Sequence, residues 1–361
     1  MVVKLRQLNI EGFRGIEAFA WMPGDLTVLT GPGAEAVCAS VLHIANTARG
    51  WGAFAEGFAQ EPPHPKERFT DGFAETRWYA CLTPQDGESL DLGFELLLER
   101  VEESNGWAIV YERFTQQDDF ELKELLERQG SRAVFTPSPK GPVRAGQRPP
   151  KEEVARLADD MSALGAFPAF YKDKRIQPYT EHFEGWCWHR RIDPSTEGAP
   201  RRFEAVQAHH DRLTADGRNL VSTLYGLWGI EQVRSPVLAG LRVLDASVED
   251  LAFPTDADGH RMTVALKHEG GRTTELAAMT DATVGWLLRG AMLCGVWLAP
   301  LLIIDAVEEG LPAELTGPLA AMLRGAAKRT QVVLTGVSEA LDAALVEAFA
   351  GDGPKLVRTV V

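Results

Sequence analysis

Hydrophobic residues recur among polar ones at the start of the chain, at Val3, Leu5, Leu8 and Ile10. A period near two predicts a half-buried strand over residues 2–10, followed by a turn at 11–15. Residues 26–30 (LTVLT) form a short β-rich run that stops at Gly31-Pro32-Gly33. Over 34–47 the spacing lengthens and places Val37, Val41 and Ile44 on one helical face. The chain thus opens as strand, glycine loop and helix. Strands are predicted over 77–82, 90–100 and 107–114, with turn residues at Asp86-Gly87 and Ser104-Asn105-Gly106, and imply a small antiparallel sheet. The run 136–150 (TPSPKGPVRAGQRPP) reads as a mobile surface loop. Residues 152–164 are predicted helical, and the stretch to 217 has mixed patterning.

Regularity returns in the last third. Helices are predicted over 219–228 and 283–297, the second apolar on most sides, and a strand over 262–267. Residues 301–305 (LLIID) and 331–335 (QVVLT) are continuous apolar runs of the kind buried on both faces of a parallel sheet. Between them, 312–329 predicts a helix with Pro312 in its first turn and Leu315, Leu319, Met322, Leu323 and Ala326 on one face. Ser338 can cap a helix over 339–349, and 355–361 closes the chain as a strand. Strands alternating with helices imply parallel βαβ units and an α/β fold. The segments are then 1–50 and 218–361 as two cassette halves, 51–135 as an antiparallel β segment, and 136–217 as a mobile loop with an inserted, mainly helical lobe. Together they make one composite domain.

Composition narrows the setting. The chain has 361 residues, 45% of them hydrophobic, an ordinary globular balance. Its longest apolar run, around 293–304, is too short to cross a bilayer and contains Pro300. The first ten residues lack the basic-then-apolar order of a signal peptide, so a cytoplasmic protein is expected, with no membrane partner. Cys38, Cys81, Cys187 and Cys294 are too scattered for a disulfide framework or a zinc site. His209-His210 precedes Asp211, but no third ligand is spaced to complete a metal site. The net charge of -14 opposes the wrapping of nucleic acid.

Four segments, in order, carry a resemblance. Residues 8–15 (LNIEGFRG) are similar to an "NFRGF" turn. Asp216-Gly217-Arg218-Asn219-Leu220, with Leu224-Tyr225, is similar to "G-x-NL…LY". Residues 302–311 (LIIDAVEEGL) stand where "DEPExGLHP" follows a Walker B strand, and 330–338 (TQVVLTGVS) where "TQVIxTTHS" occurs. The chain resembles the RecF-like and SMC-like class of ABC ATPases, close to the overcoming-lysogenization-defect type of bacterial DNA-repair and anti-phage systems. The resemblance covers most of the chain and is weakest over 115–200. It implies an ABC ATPase head: a P-loop NTPase-like parallel or mixed sheet flanked by helices, joined to the antiparallel sheet and the inserted lobe.

Against that pattern the chemistry is missing. The family loop GxxGxGK[ST] corresponds to Gly31, Pro32, Gly33, Ala34, Glu35, Ala36, Val37 and Cys38. Val37 stands for the lysine that reaches the β/γ-phosphates, and Cys38, a soft ligand, for the hydroxyl that holds Mg²⁺. Glu35 adds a negative charge, and a like-charge pair near ~4 Å costs on the order of 4 kcal/mol at an effective dielectric of about 20. No lysine lies between Lys4 and Lys66, so a shifted register does not restore the motif. Asp305 keeps the Walker B acid, but Ala306 replaces the glutamate that polarises water, and Val337 the switch histidine. Met279-Thr280-Asp281-Ala282-Thr283 corresponds to the ABC signature "LSDGT", with Ala282 in place of glycine. The alternative reading of Thr280 or Asp281 is an ordinary helix N-cap.

The expectation is a catalytically dead ABC-type ATPase with no cofactor, ATP and Mg²⁺ binding being absent or weak. It would be a structural or regulatory subunit that self-dimerises through the head face or assembles with an active paralogue or effector, in anti-phage defence or DNA maintenance. Two alternatives stay open. One is a weak ATP-binding protein with a non-standard loop. The other is a nucleic-acid-binding module read through Lys172, Lys174, Arg175, Trp186, Trp188, Arg190, Arg191, Arg201 and Arg202, a run that reads first as a solvated face or a protein-contact patch.

Overall fold

The computed structural model describes residues 3–49, 69–70, 73–84, 91–101, 106–117, 122–136, 152–159, 161–170, 173, 175–202, 204–205 and 212–361. The loop expected after Thr136, the turns at 86–87 and 104–105, the His209-His210-Asp211 run, and Lys172 and Lys174 lie outside the described residues.

The first part of the chain runs through β1 (Val3–Phe13), β2 (Ile16–Trp21), β3 (Leu26–Thr30), α1 (Ala34–Arg49), β4 (Phe69–Thr70), β5 (Phe73–Pro84), β6 (Asp91–Val101), β7 (Gly106–Gln117), β8 (Leu122–Gln129), β9 (Arg132–Phe135), β10 (Glu152–Arg156), α2 (Ala163–Phe170) and α3 (Gln177–Glu184). Next come β11 (Cys187–His189), β12 (Glu204–Ala205), α4 (Leu220–Leu227), α5 (Glu231–Leu244), β13 (Val248–Ala252), β14 (Arg261–Met262), β15 (Ala265–His268) and β16 (Thr273–Glu275). The chain ends with α6 (Asp281–Cys294), β17 (Leu301–Asp305), α7 (Thr316–Ala327), β18 (Gln331–Thr335), α8 (Glu339–Ala348) and β19 (Leu356–Val360). Two compact units result. One comprises Met1–Pro23, Thr30–Trp186 and Thr359–Val361, the other Gly24–Leu29 and Cys187–Arg358.

The first unit is built on an antiparallel sheet in the order β10-β9-β8-β7-β6-β5-β1-β2, with β4 on β5. The three strands expected at 77–114 are its centre, and β1 and β2 extend it. The hydrophobic pattern of β1 steps by three between Leu5 and Leu8, which would turn the strand over. A bulge between Leu5 and Gln7 against β5 absorbs the extra residue, so Val3, Leu5, Leu8 and Ile10 are all buried on one side. Arg14 and Gly15 both take positive φ (45° and 86°) in the two-residue turn between Phe13 and Ile16. Phe13, His43 of α1 and Trp78 of β5 interlock, with the Phe13 and Trp78 rings 5.2 Å apart edge to face. Trp78 Nε1 donates to Ser40 Oγ at 3.1 Å, so the helix is bonded as well as packed to the sheet.

Residues 152–164 are not one helix. Glu152–Arg156 is a strand paired antiparallel with β9, and helix begins only at Ala163. Glu, Ala, Arg and Leu are helix formers, but propensity differences of a few tenths of a kcal/mol per residue yield to backbone pairing on an open sheet edge. The start of α2 is set by Glu112, a buried β7 acid. Its carboxylate accepts from Ser162 Oγ (2.7 Å), Ala163 N–H (2.6 Å) and Leu164 N–H (2.9 Å). Arg128, opposite Glu112 on β8, holds the incoming loop by donating to the carbonyls of Gly130, Ala158 and Met161.

The second unit centres on a sheet in the order β11-β17-β18-β3-β19, in which β11–β17, β17–β18 and β18–β3 are parallel. This is the parallel core expected from the two apolar runs. A smaller antiparallel sheet, β13-β15-β16, belongs to the same unit. α6 spans Asp281–Cys294, shorter than the expected 283–297, and Trp297 lies beyond its end. Its packing against α5 rests on Gly240, where a Cβ would sit 2.1 Å from the Trp286 ring, while Trp286 Nε1 donates to Val237 O at 2.9 Å. The predicted helix at 312–329 begins as a 3₁₀ turn, Ala313–Leu315, before α7. No helix among the described residues is long and apolar enough to cross a membrane.

Two histidines make these units acid-sensitive. Burial lowers the pKa of His182 in the first unit and of His189 in the second from 6.5 to about 4. A base whose folded pKa is depressed binds fewer protons folded than unfolded between those values, so its stabilising effect is present above pH ~6.5 and lost as pH falls towards 4. Urea unfolding free energy is therefore expected to drop between pH 7 and pH 5. His182→Phe should reduce that drop, and an unchanged pH slope in the variant would contradict the assignment.

Candidate functional site

The loop at the end of β3 has the expected strand–loop–helix geometry. Gly31 takes φ 94°, its carbonyl accepts from Ala34 N–H at 3.3 Å, and Gly33 O accepts from Val37 N–H at 3.1 Å as α1 begins. What approaches the loop is the far end of the chain. Val361 N–H donates to Thr30 O at 2.9 Å, and Gly33 N–H donates to Val361 O at 3.5 Å. A Cβ on Gly31 would stand 2.4 Å from Val361 O. The glycine is thus required by the last residue, both for its positive φ and for the space that its missing Cβ leaves.

Ala34, Ala36, Val37 and Cys38 are buried, the last two with no accessible surface. Apolar side chains suit such buried positions, because a charged group there would lose its hydration without a counter-charge. Glu35 is exposed and lies 3.6 Å from Arg14, whose guanidinium sits 5.5 Å over the Phe13 ring. Pro32 is exposed.

In the second unit, β17 delivers Asp305 and Ala306. Asp305 Oδ1 accepts from Thr335 Oγ1 at 2.6 Å, its neighbour in register on β18. Ala306 N–H donates to Thr335 O at 3.0 Å, and Ala306 takes φ 46°, a left-handed conformation that is costly for a residue with a Cβ. Glu308 accepts from Ser338 N–H and, at 2.7 Å, from Ser338 Oγ, while Ser338 caps α8 through Leu341 N–H. Glu309 meets Arg191. All three acids of this turn are therefore engaged within the unit. Val337 is half-buried and packs against the core. Arg289, inside α6, ties the same turn to the helix by donating to Gly285 O, Val307 O and Glu309 O at 2.8–3.1 Å. Burial lowers its pKa to about 10, which leaves it charged at neutral pH.

Thr280 is the N-cap of α6, accepting from Thr283 N–H at 3.2 Å. Asp281 accepts from Arg201 Nη2 at 2.6 Å, and Arg201 Nη1 donates to the carbonyls of Leu276 and Met279. Ala282 is half-buried in the helix's first turn. Arg201 is itself buried, so this cation braces the turn before α6 from below.

The remaining residues of the basic run are dispersed. Trp186 and Arg175 belong to the first unit, and Trp188, Arg190, Arg191, Arg201 and Arg202 to the second. Trp186 and Trp188 are buried, and Arg190 stacks 4.1 Å over the Trp188 ring. Arg175 binds Asp173 at 2.7 Å, and Arg202 is exposed. Patterning did not single out Arg289, the bracing role of Arg201, or Val361. Arg289 carries the one available signal, a lone cation amid the apolar residues 284–294 of α6.

The chain matches no protein-family model and no curated protein. Among solved structures it is similar to an SMC head bound to the C-terminal winged-helix domain of ScpA, at 10% identity over 94% of this chain and 92% of that one, with a TM-score of 0.48. The SMC head domain from Thermotoga maritima is similar at 12% identity, with the same coverage and a TM-score of 0.43. So is a Pyrococcus furiosus Smc head with an extended coiled coil, bound to the C-terminal domain of ScpA, at 11% identity over 95% and 92%, TM-score 0.43.

Two substitutions probe these loops. Gly31→Ala should cost about 2 kcal/mol or more in urea unfolding without any nucleotide present, since it strains φ and collides with Val361. Ala306→Gly should raise stability by about 1 kcal/mol by relieving the left-handed alanine. An unaffected Gly31→Ala protein would mean that residue 361 does not lie against the loop.

Proposed function

We propose that the chain is an ABC-head-type pseudo-ATPase, a structural or regulatory subunit of a multiprotein assembly. The motif resemblance suggests anti-phage defence or DNA maintenance as the setting. The observation that carries this reading is the burial of Val37 and Cys38: side chains in the phosphate-lysine and Mg²⁺-hydroxyl positions belong to the hydrophobic interior. Three further features support it. Gly33 N–H, an amide that a phosphate would need, is taken by Val361. Asp305, Glu308 and Glu309 are satisfied by Thr335, Ser338 and Arg191. Ala306 has no group to orient a water.

The burial of Trp186 and Trp188 argues against a base-stacking platform on the basic run. A binding surface for protein partners, through the turn that Arg201 braces at Thr280 and Asp281, keeps a rigid geometry without a ligand. The partner would be a second copy, an active paralogue or an effector.

Calorimetric titration with Mg²⁺-ATP to millimolar concentration is expected to give no saturable heat, and a parallel thermal scan no rise in Tm. A ligand that binds the folded state must raise Tm by mass action. Saturable binding would replace this proposal with a weak nucleotide-binding protein whose loop holds phosphate without lysine.

A further inference from the structure

The small antiparallel sheet β13-β15-β16 of the second unit carries a cluster of hydroxyl, imidazole and carboxylate groups. His268 ends β15 and is 3% exposed. Its Nε2 lies 2.9 Å from Thr274 Oγ1 on β16, diagonally across the strand pair. Its Nδ1 lies 3.0 Å from Ser247 Oγ and 3.5 Å from Asp245 Oδ2. Asp245 is the C-cap of α5, and Ser247 immediately precedes β13. Ser247 N–H and Oγ both bond to Asp245 Oδ1, at 2.9 and 2.7 Å. Three elements thus meet at one ring.

These bonds fix the protons. The Ser247 hydroxyl has one hydrogen, and the Asp245 carboxylate at 2.7 Å can only accept it. The hydroxyl and amide of Ser247 hold the Asp245 carboxyl below the usual carboxylate range, so it is ionised at neutral pH. Ser247 Oγ therefore accepts from His268 Nδ1–H. That leaves Nε2 of the neutral ring as the acceptor facing the Thr274 hydroxyl. Arg272 Nη2 stands 3.4 Å from Nδ1 and 3.9 Å from Asp245 Oδ2, and in this state its charge answers the carboxylate. A hydroxyl bonded to an imidazole that a third group orients is the arrangement that activates nucleophiles.

Thr274 can also be reached from solvent. It is half-buried on the edge strand of its sheet, between exposed Thr273 and Glu275. The bonds from His268 N–H to Arg272 O and from Leu276 N–H to Val264 O, both 2.9 Å, show which pairs of the ladder are bonded. Alternation makes Leu266 and Thr274 the bonded pair between them, so the N–H groups of Thr273 and Glu275 point to the open edge. Two main-chain donors thus flank the hydroxyl, the kind of group that steadies an acyl oxygen as it gains charge.

We infer that Thr274 is a base-activated nucleophile that takes an acyl group from an activated ester at this edge. Thr274 Oγ1 attacks the carbonyl carbon, and its proton passes to His268 Nε2. The carbon–oxygen bond to the leaving alcohol then breaks, and that oxygen takes the proton from Nε2. Water in turn attacks the threonyl ester and gives a proton to Nε2. Thr274 leaves with that proton, so the acid is released and the ring ends neutral. Asp245 and Ser247 touch no substrate in these steps and are positioning residues. The inference does not depend on whether nucleotide binds.

Incubation of the full chain with p-nitrophenyl acetate tests it, read by nitrophenolate release and by mass spectrometry of peptides from acid-quenched protein. Release should exceed that of buffer, and the acetyl group should appear on Thr274. His268→Gln should slow the protein-dependent release at least about 100-fold, the scale of general-base catalysis. Thr274→Val should abolish it and Thr274→Ser retain it, with thermal scans showing that each variant is folded. Ser247→Ala should slow release about tenfold or more by freeing the ring, whereas Ser247→Thr should keep the parent rate. Ser235→Ala, which removes an exposed hydroxyl of α5, should change nothing. No release above buffer, acetyl groups only on other residues, or a Thr274→Val protein as active as the parent would overturn the inference.

Discussion

The parallel pairing of β17 with β18 is the constraint on which the second unit depends. Leu301, Leu302, Ile303 and Ile304 lie opposite Gln331, Val332, Val333 and Leu334, and all eight are buried. Buried strands must satisfy every backbone group from their neighbours, which fixes register to the residue. Register in turn decides what happens at the strand ends. Asp305 has to face Thr335, Ala306 has to reach the Thr335 carbonyl in a left-handed turn, and Glu308 then arrives at Ser338. Asp305 is thus placed by the sheet register, Glu308 by the cap of α8, and Glu309 by Arg191.

The interior treats charge strictly. Val37 and Cys38 of α1 are fully buried, where a charged group would meet a large desolvation cost. The arginines buried among the described residues each make three or more hydrogen bonds. Arg128 binds the carbonyls of Gly130, Ala158 and Met161, Arg201 binds carbonyls and Asp281 ahead of α6, and Arg289 binds Gly285 within α6 and Val307 and Glu309 in the turn after β17. These arginines act as fixed hubs that shape loops, and their planar, multiply donating head groups suit that task better than lysine would.

Patterning made the regular parts of the chain legible. Continuous apolar runs predicted β17 and β18, helical spacing predicted α1 and α7, and the cap residue Ser338 predicted α8, because burial on a fixed face and capping are local properties of sequence. The stretch from 115 to 200 was not legible. Its strands β8, β9 and β10 are short and charged, and β10 has helix-forming composition that only its partner strand overrides. The strand–loop–helix that carries Gly31 to Cys38 was legible from patterning. The duties of Arg201 and Val361 were not, since each acts on a loop some 80 or 330 residues away and neither belongs to a periodic pattern.

The contact between Val361 and the Gly31–Gly33 loop changes what that loop's composition means. A glycine-rich turn between a strand and a helix records that something passes close to the backbone, and here the visitor is the chain itself. Which residue meets Gly31 is set by the position of β19 beside β3, so a side chain added to the loop and a bulkier residue at 361 would compete for the same space.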